Sequence, residues 1–449
     1  MRIAVVGLGY VGLVTGLVLA ETGHDVAGVE KGKDRLGKLR RGETPFHEPH
    51  LAAFLERHGE GMTFSSDLGK CVERAEAVVI AVGTPSLPGG GADLGQVREV
   101  ARQLARSRLP ESTVVVNKST VPIGTGGWVA REMGSHMGEN KHTPSVASCP
   151  EFLREGTAFH DALYPDRIVV GADKIEAIRV VRRMFRPIAR QSFSPPPGLP
   201  RPRGWEKGVP VLETGLESAE LIKYASNAFL ATKVSFVNEV ANICDLVGAD
   251  IEEVTQGMGM DDRIGPRFLR AGLGWGGSCF GKDVSALCHQ AAERGYRASL
   301  LQAAISVNEF QRELAVRILA EGLGGIRGKR IALFGLSFKP GTSDLRDAPA
   351  LTVARILVDR GANLVGTDPV AIPYAKRRGI TFQLKEDPYE AARGADAVLL
   401  ATEWPVYLGL DWMEVLKRMR GNLIVDGRNA LGAKKMEGLG FLYKGIGTS

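Results

Sequence analysis

Cysteine is scarce, with five in 449 residues (71, 149, 244, 279 and 288), and no two form a CxxC pair. An odd count without paired spacing excludes a disulfide framework and a zinc site. It suits reduced thiols in a cytosolic protein, and no metal is expected. Long apolar runs are absent too. None approaches the roughly 20 residues that span a bilayer, so no membrane partner is expected. The N-terminus, Met1-Arg2-Ile3-Ala4-Val5-Val6-Gly7, breaks at glycine at once and lacks the n-region and cleavage site of a signal peptide, so it reads as a first β-strand. Aromatic residues make up only 6% of the chain. No arginine-rich arm is interleaved with them, which argues against nucleic acid as a partner.

What is present is an ordinary globular composition, 44% hydrophobic and 24% charged, too long for one core and suggesting two or three domains. The net charge of +6 is spread through the chain, with clusters at Arg35–Arg41, Arg179–Arg190 and Lys434-Lys435; such faces are usually just solvated, but the excess suits an anionic small substrate.

Residues 2–7 run into Gly7-Leu8-Gly9-Tyr10-Val11-Gly12, followed by a helical pattern and a second strand, Asp25–Val29, that ends in Glu30. In such a unit the first glycine makes the tight turn and the second lets the backbone approach a pyrophosphate. The third permits close helix–strand packing. Glu30 stands where an acid binds the adenosine ribose hydroxyls and repels a 2′-phosphate, so NAD is favoured over NADP. Further strands are expected at Ala77–Val82, Thr113–Asn117, Ser145–Ser148 and Arg167–Val170. Three of them end in polar turns, Gly83-Thr84-Pro85, Lys118–Pro122 (with Thr120) and Cys149–Gly156 (with Glu151, Phe152, Leu153 and Glu155). Ligands of a doubly wound sheet lie off the carboxyl ends of its strands, so cofactor and substrate should meet at these turns.

Prolines exclude helix and interior strand from Ser194–Gly204, which reads as an exposed polyproline-like loop, a passive insertion. From Thr214 to Leu246 the apolar spacing is that of one long helix. It carries Lys223 and Asn227 four apart, on one face; periodicity alone favours a snorkelling surface lysine at 223. In Gly276-Gly277-Ser278-Cys279-Phe280-Gly281-Lys282-Asp283 a thiol sits on a glycine-flanked turn with a cation three residues on. A nearby cation favours the nucleophilic thiolate, whereas a buried structural cysteine would want apolar neighbours. Arg330–Leu336 then echoes Arg2–Leu8 and opens a second α/β sheet, with strands at Asn363–Gly366, Ala397–Ala401 and Leu423–Asp426. Its turn, Ser337–Thr342, lacks the second and third glycines and suits a different nucleotide.

These stretches resemble the UDP-glucose/GDP-mannose dehydrogenase family. The matching pieces are GLGYVG at 7–12, GTP at 83–85, STVP at 119–122 and PEFLREG at 150–156. They continue with KYASNAFLATKVSFVNE at 223–239, DDRIG at 261–265, GGSCF at 276–280 with KD at 282–283, GLSFKP at 335–340 and DGRN at 426–429. The resemblance implies an α/β fold of two Rossmann-like, doubly wound parallel-sheet domains joined by a central helical domain with one long helix. The N-terminal NAD-binding domain would occupy 1–212, the helical dimerisation domain 213–325 and the UDP-sugar domain 326–449, in a homodimer. It further implies oxidation of a nucleotide sugar at C6 to a carboxylate with two NAD and one water. UDP-glucose is the expected substrate; GDP-mannose and a UDP-N-acetylhexosamine are the alternatives.

By motif position, Cys279 would add to the aldehyde, and Lys223 and Asn227 would stabilise the oxyanion. Asp283 would serve in proton transfer, and Glu151 with Thr120 would handle the hydrolytic water. Gly7, Gly9, Tyr10, Val11, Gly12, Glu30, Arg35, Thr84, Thr120, Glu155, Lys282 and Arg346 fall on the cofactor side. Glu151, Phe152, Leu153, Lys223, Asn227, Phe268, Arg270, Gly276 and Lys339 fall on the substrate side, and Arg263 would reach the substrate of the neighbouring subunit. Three positions depart from the family pattern. Cys149 stands for asparagine or serine, and Gly281 for a proline, which should loosen its loop. Asp347-Ala348-Pro349 stands for the more usual Ser-Pro, at low expected cost.

Overall fold

A computed structural model describes residues 1–138 and 142–448. The chain forms two compact units, 1–226 with 285–294, and 227–284 with 295–449.

The first unit is built on eight strands: β1 (Arg2–Val6), β2 (Asp25–Val29), β3 (Thr63–Ser65), β4 (Ala77–Ile80), β5 (Val114–Asn117), β6 (Ser145–Ser148), β7 (Ile168–Ala172) and β8 (Val211–Thr214). They are ordered β3-β2-β1-β4-β5-β6-β7-β8, the doubly wound pattern. Neighbours pair in parallel, as expected of a doubly wound sheet, except β6 with β7, which run antiparallel. The central strands β1 and β4 are nearly all apolar because helices cover both faces: Ile3, Val5 and Val79 pack on one side, Ala4, Val6 and Val78 on the other. Two strands escape sequence reading. β3 has three residues, and β8, at the sheet edge, exposes Leu212 and Glu213 and so shows no apolar alternation.

The proline-rich segment has no regular structure, as its prolines require, but it is not a passive exposed loop. Pro196 and Leu199 are buried, and the Leu199 carbonyl accepts from the Tyr164 hydroxyl at 2.8 Å. Arg201 Nη2 donates to the carbonyls of Gln191 (2.8 Å) and Phe193 (2.7 Å). Backbone acceptors without a ladder need such donors, and the segment is fastened by them.

Helix α1 (Tyr10–Glu21) follows β1, and the long helix is α2 (Leu216–Val247). Thr214, expected in that helix, ends β8 instead. The second unit takes α2 from Asn227, the start of α3 (Phe280–Glu293), and α4 (Ser299–Leu323). Its six strands, β9 (Arg330–Phe334), β10 (Asn363–Thr367), β11 (Gln383–Leu384), β12 (Ala397–Leu400), β13 (Leu423–Asp426) and β14 (Leu442–Lys444), lie in the order β11-β10-β9-β12-β13-β14, all parallel.

The internal echo extends to one corner. Gly7 and Gly335 both take positive φ (92° and 95°) after the first strand. In each sheet an acid ending the second strand accepts from the next N–H: Glu30 Oε2 from Leu8 (3.2 Å) and Asp368 Oδ2 from Leu336 (2.9 Å). In the second sheet the corner is filled further. Asp368 Oδ2 also accepts from Ser337 N–H (3.1 Å), Ser337 Oγ (3.1 Å) and Trp404 Nε1 (3.3 Å).

Candidate active site

In the first unit the glycine turn has the steric logic of a dinucleotide seat. A Cβ on Gly12 would lie 1.9 Å from the Gly7 carbonyl oxygen, and one on Gly7 would lie 2.8 Å from that of Ala81. Beside Gly9, by contrast, no atom lies within 4 Å of a built Cβ. Gly9 precedes α1 and offers no side-chain cap, so the helix's first N–H groups keep their affinity for an anion. Glu30 is buried, and its Oε1 accepts from Gly32 N–H at 2.7 Å while Oε2 pairs with Arg35 Nη1 at 3.0 Å. These residues fit NAD: Gly9 and the first N–H groups of α1 would hold its pyrophosphate, and Glu30 would hold its ribose hydroxyls. Glu30→Ala is expected to raise the KM for NAD about tenfold, since one charged hydrogen bond is lost, with little effect on kcat in initial-rate assays.

The strand-end turns of this unit are fastened to one another. Thr84 Oγ1 donates to the Thr120 carbonyl at 2.7 Å. Glu151 and Lys223 form a buried ion pair at 3.0 Å, their side chains 6% and 4% exposed, so the surface reading of Lys223 is corrected. Lys223 Nζ also lies 5.4 Å above the Phe152 ring, with Arg167 stacked on the same ring at 3.9 Å. Glu151 Oε2 accepts from Leu153 N–H at 2.5 Å, which folds the turn back on its own carboxylate.

Two buried acids here were not picked out from the sequence. Glu48 accepts from the Tyr10 hydroxyl (2.6 Å), Gly156 N–H (2.7 Å) and Ala158 N–H (2.8 Å), tying α1 to the 150–156 turn. Glu220 accepts from Gly124 N–H (2.6 Å), Gly126 N–H (2.7 Å) and Ser148 Oγ (3.1 Å). Burial pushes its carboxyl pKa up against those donors. Only the prolines around Glu48 hinted at a turn, and Glu220 reads as one more polar residue of an amphipathic helix. Cys149 is fully buried, and burial pushes its thiol pKa up although Lys118 pulls the other way. It is therefore poorly placed to be a redox-sensitive second thiol.

In the second unit Cys279 immediately precedes α3, and its carbonyl accepts from Asp283 N–H at 2.8 Å as the helix's first bond. Its Sγ stands at the helix's positive end, 3.5 Å from Ser278 Oγ. Asp283 is 1% exposed; Oδ2 accepts from Asn227 Nδ2 at 2.6 Å and Oδ1 pairs with Lys282 Nζ at 2.5 Å. The other expected positions of this unit are more open. Arg263 pairs with Asp261, Arg346 with Asp344, and Lys339 lies over Phe338 at 5.6 Å. Phe268 takes a φ of 65°, and Arg270 is exposed. A Cβ on Gly276 would lie 2.2 Å from the Asp347 carbonyl oxygen, so only glycine fits there.

A doubly wound cofactor unit with a glycine turn and acid, and a second unit bearing a thiol beside a buried amide–carboxylate–ammonium set, define an NAD-dependent oxidoreductase. Residues 1–189 match the NAD binding domain of the UDP-glucose/GDP-mannose dehydrogenase family, 217–310 its central domain and 332–433 its UDP binding domain. The chain belongs to that family. It is 42% identical over 458 residues to the UDP-glucose 6-dehydrogenase of Pseudomonas aeruginosa, covering 100% of this chain and 97% of that one. It is 41% identical over 454 residues to the same enzyme of Rhizobium meliloti (100% and 99%). Among solved structures it is similar to a UDP-glucose dehydrogenase from Pyrobaculum islandicum, with a TM-score of 0.88, 37% identity and coverage of 100% and 98%. Among the described residues no helix is long and apolar enough to cross a membrane.

Proposed function

We propose that the chain oxidises UDP-glucose at C6 to UDP-glucuronate, consuming two NAD and one water. The observation that carries this reading is the Cys279 turn with its Asn227–Asp283–Lys282 set at the head of α3. A simple alcohol dehydrogenase needs no thiol; a four-electron enzyme does, because an aldehyde must become tetrahedral before it can be oxidised again. NAD supplies the hydride acceptor of both steps. Asp283, oriented by Asn227 and Lys282, takes the C6 hydroxyl proton through a held water. Cys279 Sγ adds to the aldehyde carbon, and Lys223 and Asn227 stabilise the oxyanion that forms. The thioester left by the second oxidation is hydrolysed by water that Glu151 orients beside Thr120. Glu155, Lys282 and Arg346 contact the cofactor. Phe152, Leu153, Phe268, Arg270 and Lys339 contact the substrate.

The relatives' names support the choice of UDP-glucose. A likeness at 26% identity to a UDP-D-ManNAc dehydrogenase from Pyrococcus horikoshii keeps a second sugar in the test. The test is NADH formed per nucleotide sugar consumed, with UDP-glucose, GDP-mannose and a UDP-N-acetylhexosamine offered separately. Two NADH per UDP-glucose, with little from the others, is expected; a ratio of one overturns the thiol mechanism.

A homodimer through α2 is part of the same reading. Phe229 (66% exposed), Phe236 (50%) and Ile243 (51%) recur every seven residues on that helix, with Leu246 (85%) following. An apolar stripe of this length supports an interface there, for which a second copy would present the matching stripe. Phe229→Glu with Phe236→Glu is expected to halve the particle mass in light scattering. A wild-type mass would refute the interface. None of the five cysteines is in a disulfide, which fits a reducing, cytosolic setting.

A further inference from the structure

The turn that carries Cys279 is held by a charged pair that the reaction itself does not use. Arg312 of α4, 8% exposed, donates through Nη1 to Asp347 Oδ1 (2.9 Å) and Thr352 Oγ1 (3.2 Å), and through Nη2 to the Trp275 carbonyl (3.1 Å). Asn308, one turn earlier, clamps the same peptide, accepting from Trp275 N–H at 2.7 Å and donating to its carbonyl at 3.0 Å. The corner also meets the turn directly. Gly277 N–H donates to the Arg346 carbonyl at 3.1 Å, and the Asp347 carbonyl occupies the space of a Cβ on Gly276. Beyond Cys279, a Cβ on Gly281 would stand 3.0 Å from Asp347 Oδ2, while Oδ1 is fixed on Arg312. Asp347 itself holds a φ of 45°, in the left-handed region.

We infer that Asp347, anchored by Arg312, is a positioning residue for Cys279, and that its carboxylate is why position 281 is glycine. The two departures from the family pattern are one feature. Rather than loosening the loop, Gly281 makes room for the carboxylate that anchors Arg312, whose other nitrogen holds the Trp275 carbonyl before the thiol. A side chain at 281 would press on Asp347 Oδ2, and the carboxylate must give by a few tenths of an ångström against its bond to Arg312, which also holds the Trp275 carbonyl.

The inference rests on the reading of Cys279 as nucleophile, so its test has an arm free of turnover. In the full-length protein, Gly281→Ala, Asp347→Gly and the double variant form a cycle. Glycine at 347 tolerates the positive φ, and alanine at 281 improves helix propensity, so a purely local view predicts harmless changes. The expected result is that each single change lowers kcat about tenfold with KM within about twofold, and that the double is no worse than Asp347→Gly alone. The rate of Cys279 alkylation by iodoacetamide, read by mass spectrometry without NAD or sugar, is expected to move at least about threefold in the same non-additive pattern. Should Asp347→Gly melt, Asp347→Asn replaces it. Its amide still meets the Cβ introduced by Gly281→Ala, so that double variant keeps the Gly281→Ala defect. Wild-type kcat and alkylation for Gly281→Ala, or losses that simply add, overturn the proposal. If Cys279→Ser kept full turnover, the nucleophile reading would fall while the alkylation cycle still reported the 281–347 coupling.

Discussion

Cys279→Ser is expected to yield no uronate, with steady-state turnover to the acid reduced by at least about a thousandfold, in line with the loss of a covalent nucleophile. A serine hydroxyl at the head of α3 can accept a hydrogen bond but is not ionised at neutral pH, so the aldehyde would lose its covalent nucleophile. Binding of NAD and UDP-glucose, followed by calorimetry, should be little changed. The substitution is nearly isosteric, and the new hydroxyl can keep the contact with Ser278 that the sulfur makes. The product assay is chromatographic detection of UDP-glucuronate. Wild-type uronate output from this variant would sink the covalent mechanism.

Lys223→Met is expected to injure both stability and catalysis. Its ammonium is 3.0 Å from Glu151, and both side chains are nearly inaccessible. Deleting one partner leaves a buried carboxylate without its counter-charge, at a cost of about 3–5 kcal/mol, visible in a denaturant titration. It also removes a donor proposed for the developing oxyanion, for which a loss of about 10²–10³ in kcat is the expected scale. The double variant Lys223→Met, Glu151→Gln separates the two effects. Neutralising both partners should restore much of the stability and none of the rate. Rate and stability recovering together would make the pair structural rather than catalytic.

Much of this was legible in the chain because the signals are local. GLGYVG and Glu30 specify a turn, a helix start and an acid whose spacing admits few other folds, and the all-apolar strands follow from burial on both faces. The ion pair was not legible. Glu151 and Lys223 are 72 positions apart, and helix periodicity counts a lysine as a surface residue until its partner is known. Glu48 and Glu220 are of the same kind, acids whose meaning lies in backbone N–H groups that no pattern announces. The edge strands β3, β8, β11 and β14 are not legible in the sequence, because edge strands this short need no alternation. The proline-rich segment was read correctly as irregular. Its docking depends on Tyr164 and Arg201, and only the fold brings them there.

The filled corner at Asp368 bears on what each sheet can hold. Both halves share one design, a strand, a positive-φ glycine and an acid that catches the following N–H. In the second half that acid is a structural hub, saturated by Ser337 and Trp404. Even without the indole it would keep the Leu336 and Ser337 N–H groups and the Ser337 hydroxyl. The acid of the C-terminal sheet is thus committed to its own turn several times over. Any exchange of cofactor preference, in evolution or in the laboratory, has to be written at Gly7–Gly12 and Glu30.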